Sequence, residues 1–120
     1  MKAFDYVAAQ SIDEVTALLA QDGPQVRLLA GGTDLLVQMR ENRRSADVVV
    51  DIKHIPELSE LSYDPGTGLT IGAAVSCLRI CDDPAVAAHY PGLVDAVKLI
   101  GGTQIQGRAT LGGNLANASP

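Results

Sequence analysis

The segment Val26-Arg27-Leu28-Leu29-Ala30 is a short aliphatic run that breaks at once into Gly31-Gly32-Thr33-Asp34 and then into Leu35-Leu36-Val37-Gln38-Met39-Arg40. A buried strand, a glycine turn and a helix, followed after a polar connection by the second run Asp47-Val48-Val49-Val50-Asp51-Ile52, constrain this part of the chain to a βαβ unit with parallel strands and a right-handed crossover. Upstream, Phe4 to Val7 reads as a short strand. Ser11 is a natural helix cap, with Glu14 at the capping-box position and Ile12, Val15, Leu18 and Leu19 at helical spacing before the stop Asp22-Gly23-Pro24.

From Leu58 onward the texture changes. Leu61-Ser62-Tyr63-Asp64 and Leu69-Thr70-Ile71-Gly72-Ala73 flank Pro65-Gly66-Thr67-Gly68, which predicts a β-hairpin. Ser76 predicts a capped helix start, Pro84 and Pro91 suit first helical turns, and Gly92 to Ile100 predicts a helix ended by Gly101-Gly102. The last twenty residues, Gly101 to Pro120, are small and polar and carry no closing element, as expected of a piece of a longer protein. With 120 residues the chain is one domain at most.

Several functions are disfavoured by composition. Aromatics make up 3% of the chain and the net charge is −5, so there is neither a stacking platform nor a basic face for nucleic acid. Arg40, Arg43 and Arg44 read as a solvated helix end. No apolar run is long enough to span a membrane and the N-terminus has no secretory pattern, so the expected location is the cytoplasm. Cys77 and Cys81, four residues apart, read as free thiols on one helix face, and neither His54 nor His89 sits at a spacing to join them around a metal. G-x-G-x-x-G, G-x-x-x-x-G-K-[ST] and G-x-S-x-G are all absent, and the acidic residues are scattered. No catalytic residue is assigned. A cofactor must carry any chemistry.

Two glycine pairs remain, Gly31-Gly32 and Gly112-Gly113. Glycine lets backbone approach a ligand closely, and successive N–H groups form anion-binding concavities; Thr33, Thr110 and Asn114 add side-chain donors. Together they would cradle a pyrophosphate without lysine.

Leu29-Ala30-Gly31-Gly32-Thr33-Asp34-Leu35-Leu36, followed about eighty residues later by Gln104-Ile105-Gln106-Gly107-Arg108-Ala109-Thr110-Leu111-Gly112-Gly113-Asn114-Leu115-Ala116-Asn117-Ala118-Ser119-Pro120, closely resembles the FAD-binding medium subunit of molybdenum hydroxylases. That family includes xanthine dehydrogenase and carbon monoxide dehydrogenase. The resemblance implies a PCMH-type α+β flavin fold: a βαβ subdomain over 1–58 and the start of a larger mixed-sheet subdomain over 59–120, with FAD between them. It implies that Leu29, Ala30, Gly31, Gly32, Thr33, Asp34, Leu35 and Leu36 wrap the FAD pyrophosphate. Thr110, Leu111, Gly112, Gly113 and Asn114 would form a second phosphate and ribityl loop, and Ile100 would pack near the flavin. Gln106-Gly107 departs from the Arg-Asn usual in the family. The implied partners are a molybdopterin-binding large subunit and a small subunit with two 2Fe–2S clusters, from which electrons reach FAD and then NAD⁺, a quinone or oxygen. Family members continue well past Pro120, so the chain alone is expected to turn over nothing.

Two other readings stay open. One is a different PCMH-fold flavoprotein, such as a UDP-N-acetylmuramate-type reductase or a covalent-flavin oxidase, although Leu28 to Arg40 offers no His or Cys for covalent attachment. The other is a non-catalytic interaction module with two structural glycine turns.

Overall fold

A computed structural model describes residues 1–119. Three parallel strands, β1 (Asp5–Ala8), β2 (Val26–Leu29) and β3 (Val48–Asp51), form one sheet in the order β1-β3-β2. Val48 pairs with Asp5 on one side and Val26 on the other, so the most aliphatic strand lies in the middle. This is what burial on both faces requires of a central parallel strand. Successive residues of β3 serve opposite faces. Val50 packs with Ala9, Val15 and Ile55 under α1 (Ile12–Leu19), whereas Val49 packs with Met39 and Ala46 under α2 (Leu35–Arg40). The βαβ reading is borne out for β2-α2-β3, and β1 lies one residue later than the sequence suggests.

Local chemistry starts the helices as expected. The Ser11 hydroxyl accepts the Glu14 N–H at 3.1 Å. The Glu14 carboxylate reaches back one residue further than a capping box requires and accepts the Gln10 N–H at 2.9 Å. Past a 3₁₀ turn at Pro56–Leu58, strands β4 (Leu61–Asp64) and β5 (Gly68–Ile71) pair antiparallel. Their turn is held by Asp64, whose Oδ1 accepts the N–H groups of Gly66 at 2.7 Å and Thr67 at 3.0 Å.

Helices α3 (Cys77–Asp82), α4 (Pro84–His89) and α5 (Pro91–Val97) then bury Val75, Cys77, Ile80, Val86, Val94 and Val97 as a separate aliphatic core. Ser76 caps α3 and the Asp83 carboxylate caps α4, each by accepting backbone N–H groups of the first turn.

The end of the chain corrects the sequence reading. Residues Gly101 to Ser119 are not an open loop: they hold α6 (Thr103–Gln106) and α7 (Leu111–Ala116). Gly112-Gly113 lies in the first turn of α7, started by Thr110, whose Oγ1 accepts the Gly113 N–H at 2.9 Å. Helix propensity does not favour such a segment. Tertiary contacts do: the Cys77 N–H bonds to the Ala109 carbonyl at 2.8 Å, and Ser76 pairs with Thr110 in an antiparallel bridge.

Among the described residues no helix is long and apolar enough to cross a membrane.

Candidate functional site

The carboxyl ends of parallel strands are where open α/β sheets bind ligands, because the loops leaving the strands diverge there. In this chain the loop leaving β2 is Ala30 to Asp34, and it faces α6 and α7 across a cleft of about 730 Å³.

Glycine is demanded at two points of this cleft by close approach. A side chain at Gly31 would drive into the backbone of the other half, with its Cβ 2.7 Å from the Arg108 carbonyl carbon and 3.0 Å from the Ala109 Cα. At Gly112 it would meet the Ala73 carbonyl oxygen at 2.6 Å and the Ala73 Cα at 2.8 Å. Gly31 and Gly112 therefore bring two loops together, besides whatever they offer a ligand. Gly32 is required for another reason: its φ of +78° is left-handed, a region other residues rarely adopt.

The same loop leaves its donors open. Among the described residues, the backbone N–H groups of Gly31, Gly32, Thr33 and Asp34 meet no acceptor, nor do those of Leu111 and Gly112 at the start of α7. Asp34 stands at the N-cap of α2 but makes no capping bond. Its carboxylate instead accepts the Asn117 side-chain amide at 2.9 Å, which ties the first glycine loop to the end of α7. Unpaired backbone donors are costly where water is displaced and are answered by an anion. Of the charged residues lining the cleft, Arg27 and Arg44 are cationic and Asp34 is anionic. A pyrophosphate held mainly by backbone amides fits this arrangement.

Most of the residues singled out from the sequence meet here. Ala30, Gly31, Gly32, Thr33, Asp34 and Leu35 line one wall, while Thr110, Gly112, Gly113 and Asn114 line the other. Ile100 contributes an apolar patch beside Leu99, which is 84% exposed. Three lie outside the lining. Leu29 packs against Met39, Ala46 and Val49, Leu36 is exposed, and Leu111 packs on the core of the helical half.

Sequence reasoning missed the contribution of Asn117, which the quoted motif contains, and of Arg108 and Ala109, which act through their backbone. It also missed the group behind the loop. Asp51, 3% exposed at the end of β3, accepts the Tyr6 hydroxyl at 2.6 Å and the Lys53 ammonium at 2.7 Å. The available signal was an acid and a lysine two residues apart at the carboxyl end of a parallel strand. Gln106, the departure from Arg-Asn, is buried, and its amide donates to the carbonyls of Lys98 at 2.7 Å and Gly101 at 3.3 Å, closing the C-terminal end of α5.

The family model described as the FAD binding domain in molybdopterin dehydrogenase matches residues 2–120. The carbon monoxide dehydrogenase medium chain of Hydrogenophaga pseudoflava is 38% identical over 117 residues, covering 98% of this chain and 40% of the relative. The nicotinate dehydrogenase FAD-subunit of Eubacterium barkeri is 35% identical, covering 99% of this chain and 40% of its own length. Among solved structures, quinoline 2-oxidoreductase from Pseudomonas putida 86 superposes with a TM-score of 0.89 at 38% identity, over 98% of this chain and 41% of that one. The chain thus spans about 40% of the length of the relatives it matches.

Proposed function

Because this chain belongs to the family of FAD-binding domains of molybdopterin dehydrogenases, we propose that its cleft clasps the pyrophosphate of FAD between two walls. Gly31 to Leu35 form one wall and Thr110 to Asn114 the other. The observation that carries the reading is the run of unpartnered amides from Gly31 to Asp34, lining the same cleft as the unpartnered amide of Gly112. The Thr33 and Asn114 side chains add polar groups to the two walls, and Ile100 offers apolar contact toward the flavin end. The reading divides the chain near Leu58, with residues 1–58 on one side of the cofactor and 59–120 on the other.

FAD supplies reversible one- and two-electron chemistry when bound. The residues of this chain bind and orient it, and no side chain here is assigned a catalytic step. The protein as a whole would be the flavin subunit of a molybdenum hydroxylase in the cytoplasm. Its partners would be a molybdopterin-binding large subunit and a 2Fe–2S small subunit, with NAD⁺, a quinone or oxygen as the acceptor. Names among the relatives support this: the family match is to molybdopterin dehydrogenases, and medium chains and FAD-subunits recur.

Calorimetric titration of FAD, ADP and FMN into the subunit expressed from its complete reading frame tests the clasp. FAD and ADP are expected to bind and FMN not to, because only the first two carry a pyrophosphate. A folded subunit that ignores FAD, or that takes FMN as tightly, refutes it.

A further inference from the structure

Behind the first glycine loop, at the carboxyl edge of the sheet, stands a charged group that does not line the cleft. The Lys53 ammonium donates to Asp51 Oδ1 at 2.7 Å and to the carbonyl of Ala30 at 2.9 Å. Ala30 is the residue immediately before Gly31. Asp51 also accepts the Lys53 N–H at 2.9 Å, and its other oxygen accepts the Tyr6 hydroxyl at 2.6 Å. His54 Nε2 stands 3.8 Å from that second oxygen. Burial works against the Asp51 charge and is the largest single influence on it. The hydrogen bonds from Lys53 and Tyr6 together outweigh burial and hold the carboxyl below its ordinary value. The lysine is thus pinned by a stable anion.

A peptide unit is planar, and with no cis bond among the described residues the Ala30 carbonyl and the Gly31 N–H point to opposite sides of it. Whatever fixes the carbonyl fixes the N–H. Ala30 and Gly31 line the cleft while Lys53 does not, so the bond from Lys53 ties the Ala30 carbonyl to a group outside the lining. Glycine supplies no Cβ to resist rotation of that plane, so the orientation must be imposed from outside. A carbonyl bonded to a cation also polarises its peptide and strengthens the N–H as a donor.

We propose that Lys53, anchored by Asp51, is a positioning residue that sets the Ala30–Gly31 peptide plane and presents the Gly31 N–H to the phosphate of a bound adenine dinucleotide. This rests on the reading of the cleft as a pyrophosphate clasp.

The test uses the subunit from its complete reading frame, with ADP and FAD titrated by calorimetry and melting followed in parallel. Lys53→Met is expected to weaken ADP and FAD by the same factor, about tenfold, as the loss of one well-aimed charge-supported donor implies. Ser11→Ala removes the cap of α1 and touches neither Asp51 nor Ala30. It is expected to lower the melting temperature while leaving both affinities within about twofold of the original. Unchanged ADP affinity in a folded Lys53→Met, or an equal loss in Ser11→Ala, overturns the proposal. Should Lys53→Met fail to fold, the Gly31 amide resonance of the unmodified subunit decides: it is expected to shift on adding ADP, and a resonance that stays put overturns the proposal. If the unmodified subunit binds neither ligand, the clasp reading fails first and this inference with it.

Discussion

Replacing Gly31 with alanine adds one methyl at the point where the first glycine loop meets the Arg108–Ala109 backbone. The new Cβ would sit 2.7 Å from the Arg108 carbonyl carbon and 3.0 Å from the Ala109 Cα. Carbon atoms settle at ~3.5–4.0 Å, so the two walls must part by on the order of 1 Å. Both obstacles are main chain, and neither can swing aside as a flexible side chain would. Overpacking of this kind costs about 1–3 kcal/mol. The separation also pulls the amides of Gly31 to Asp34 away from those of Leu111 and Gly112, so FAD affinity should fall by about tenfold or more, the equivalent of ~1.4 kcal/mol. Gly92→Ala is the matched control. Gly92 lies in the first turn of α5 with nothing within 4 Å of an added Cβ. That substitution should be neutral or stabilise by up to ~1 kcal/mol through helix propensity. Urea unfolding and FAD titration of both variants, in the complete subunit, check the argument. Gly31→Ala with the stability and FAD affinity of the parent would show that the walls do not meet at this residue.

Two further outcomes are expected. The Asp51 carboxyl is held below its ordinary value, so its contribution to stability is intact above the unfolded pKa of ~3.9 and drains away as pH falls through the lower folded value. The stability gap between the parent and Asp51→Asn, measured by urea unfolding, should therefore be wide at neutral pH and narrow in acid, and a gap independent of pH sinks this reasoning. Cys77 is wholly buried, and that burial, with the neighbouring Cys81 adding to it, pushes its thiol up, whereas Cys81 is half-buried. Iodoacetamide near neutral pH should label Cys81 first in the folded protein, as read by peptide mass spectrometry, and prior labelling of Cys77 would contradict the packing of α3.

What the sequence disclosed was local. Short aliphatic runs marked β2 and β3, and Ser11, Ser76, Pro84 and Pro91 marked helix starts, because capping is a matter of one side chain and the next three amides. The position of β3 between β1 and β2 depends on which faces are buried from afar, and no neighbouring residue encodes it. Helices α6 and α7 escaped for the same reason. Their glycines and small polar residues have little intrinsic preference for helix, and the segment is held by Ala109 against Cys77 and Gly112 against Ala73. For the cleft, motif resemblance marked both walls, but not the contact between them at Gly31 and Arg108. For Lys53 the sequence held only its place beside Asp51 at the end of β3, and its bond to Ala30, 23 positions away, was out of reach of local reading.

The hydrogen bond between Asn117 and Asp34 joins residues 83 positions apart, and it has a counterpart in time. During synthesis the three-stranded sheet has all its residues once Asp51 has emerged, while the second wall is still unmade. Domains fold from the N-terminus as they are produced, and closures over long separations come late. On the proposed clasp, a nascent chain at that stage would carry the sheet and only one wall of the site. The amides from Gly31 to Asp34 stay in water until the last turns of α7 arrive. If the cofactor is held between the two walls as proposed, it would be gripped from both sides only after that moment, and loading would follow the synthesis of α7.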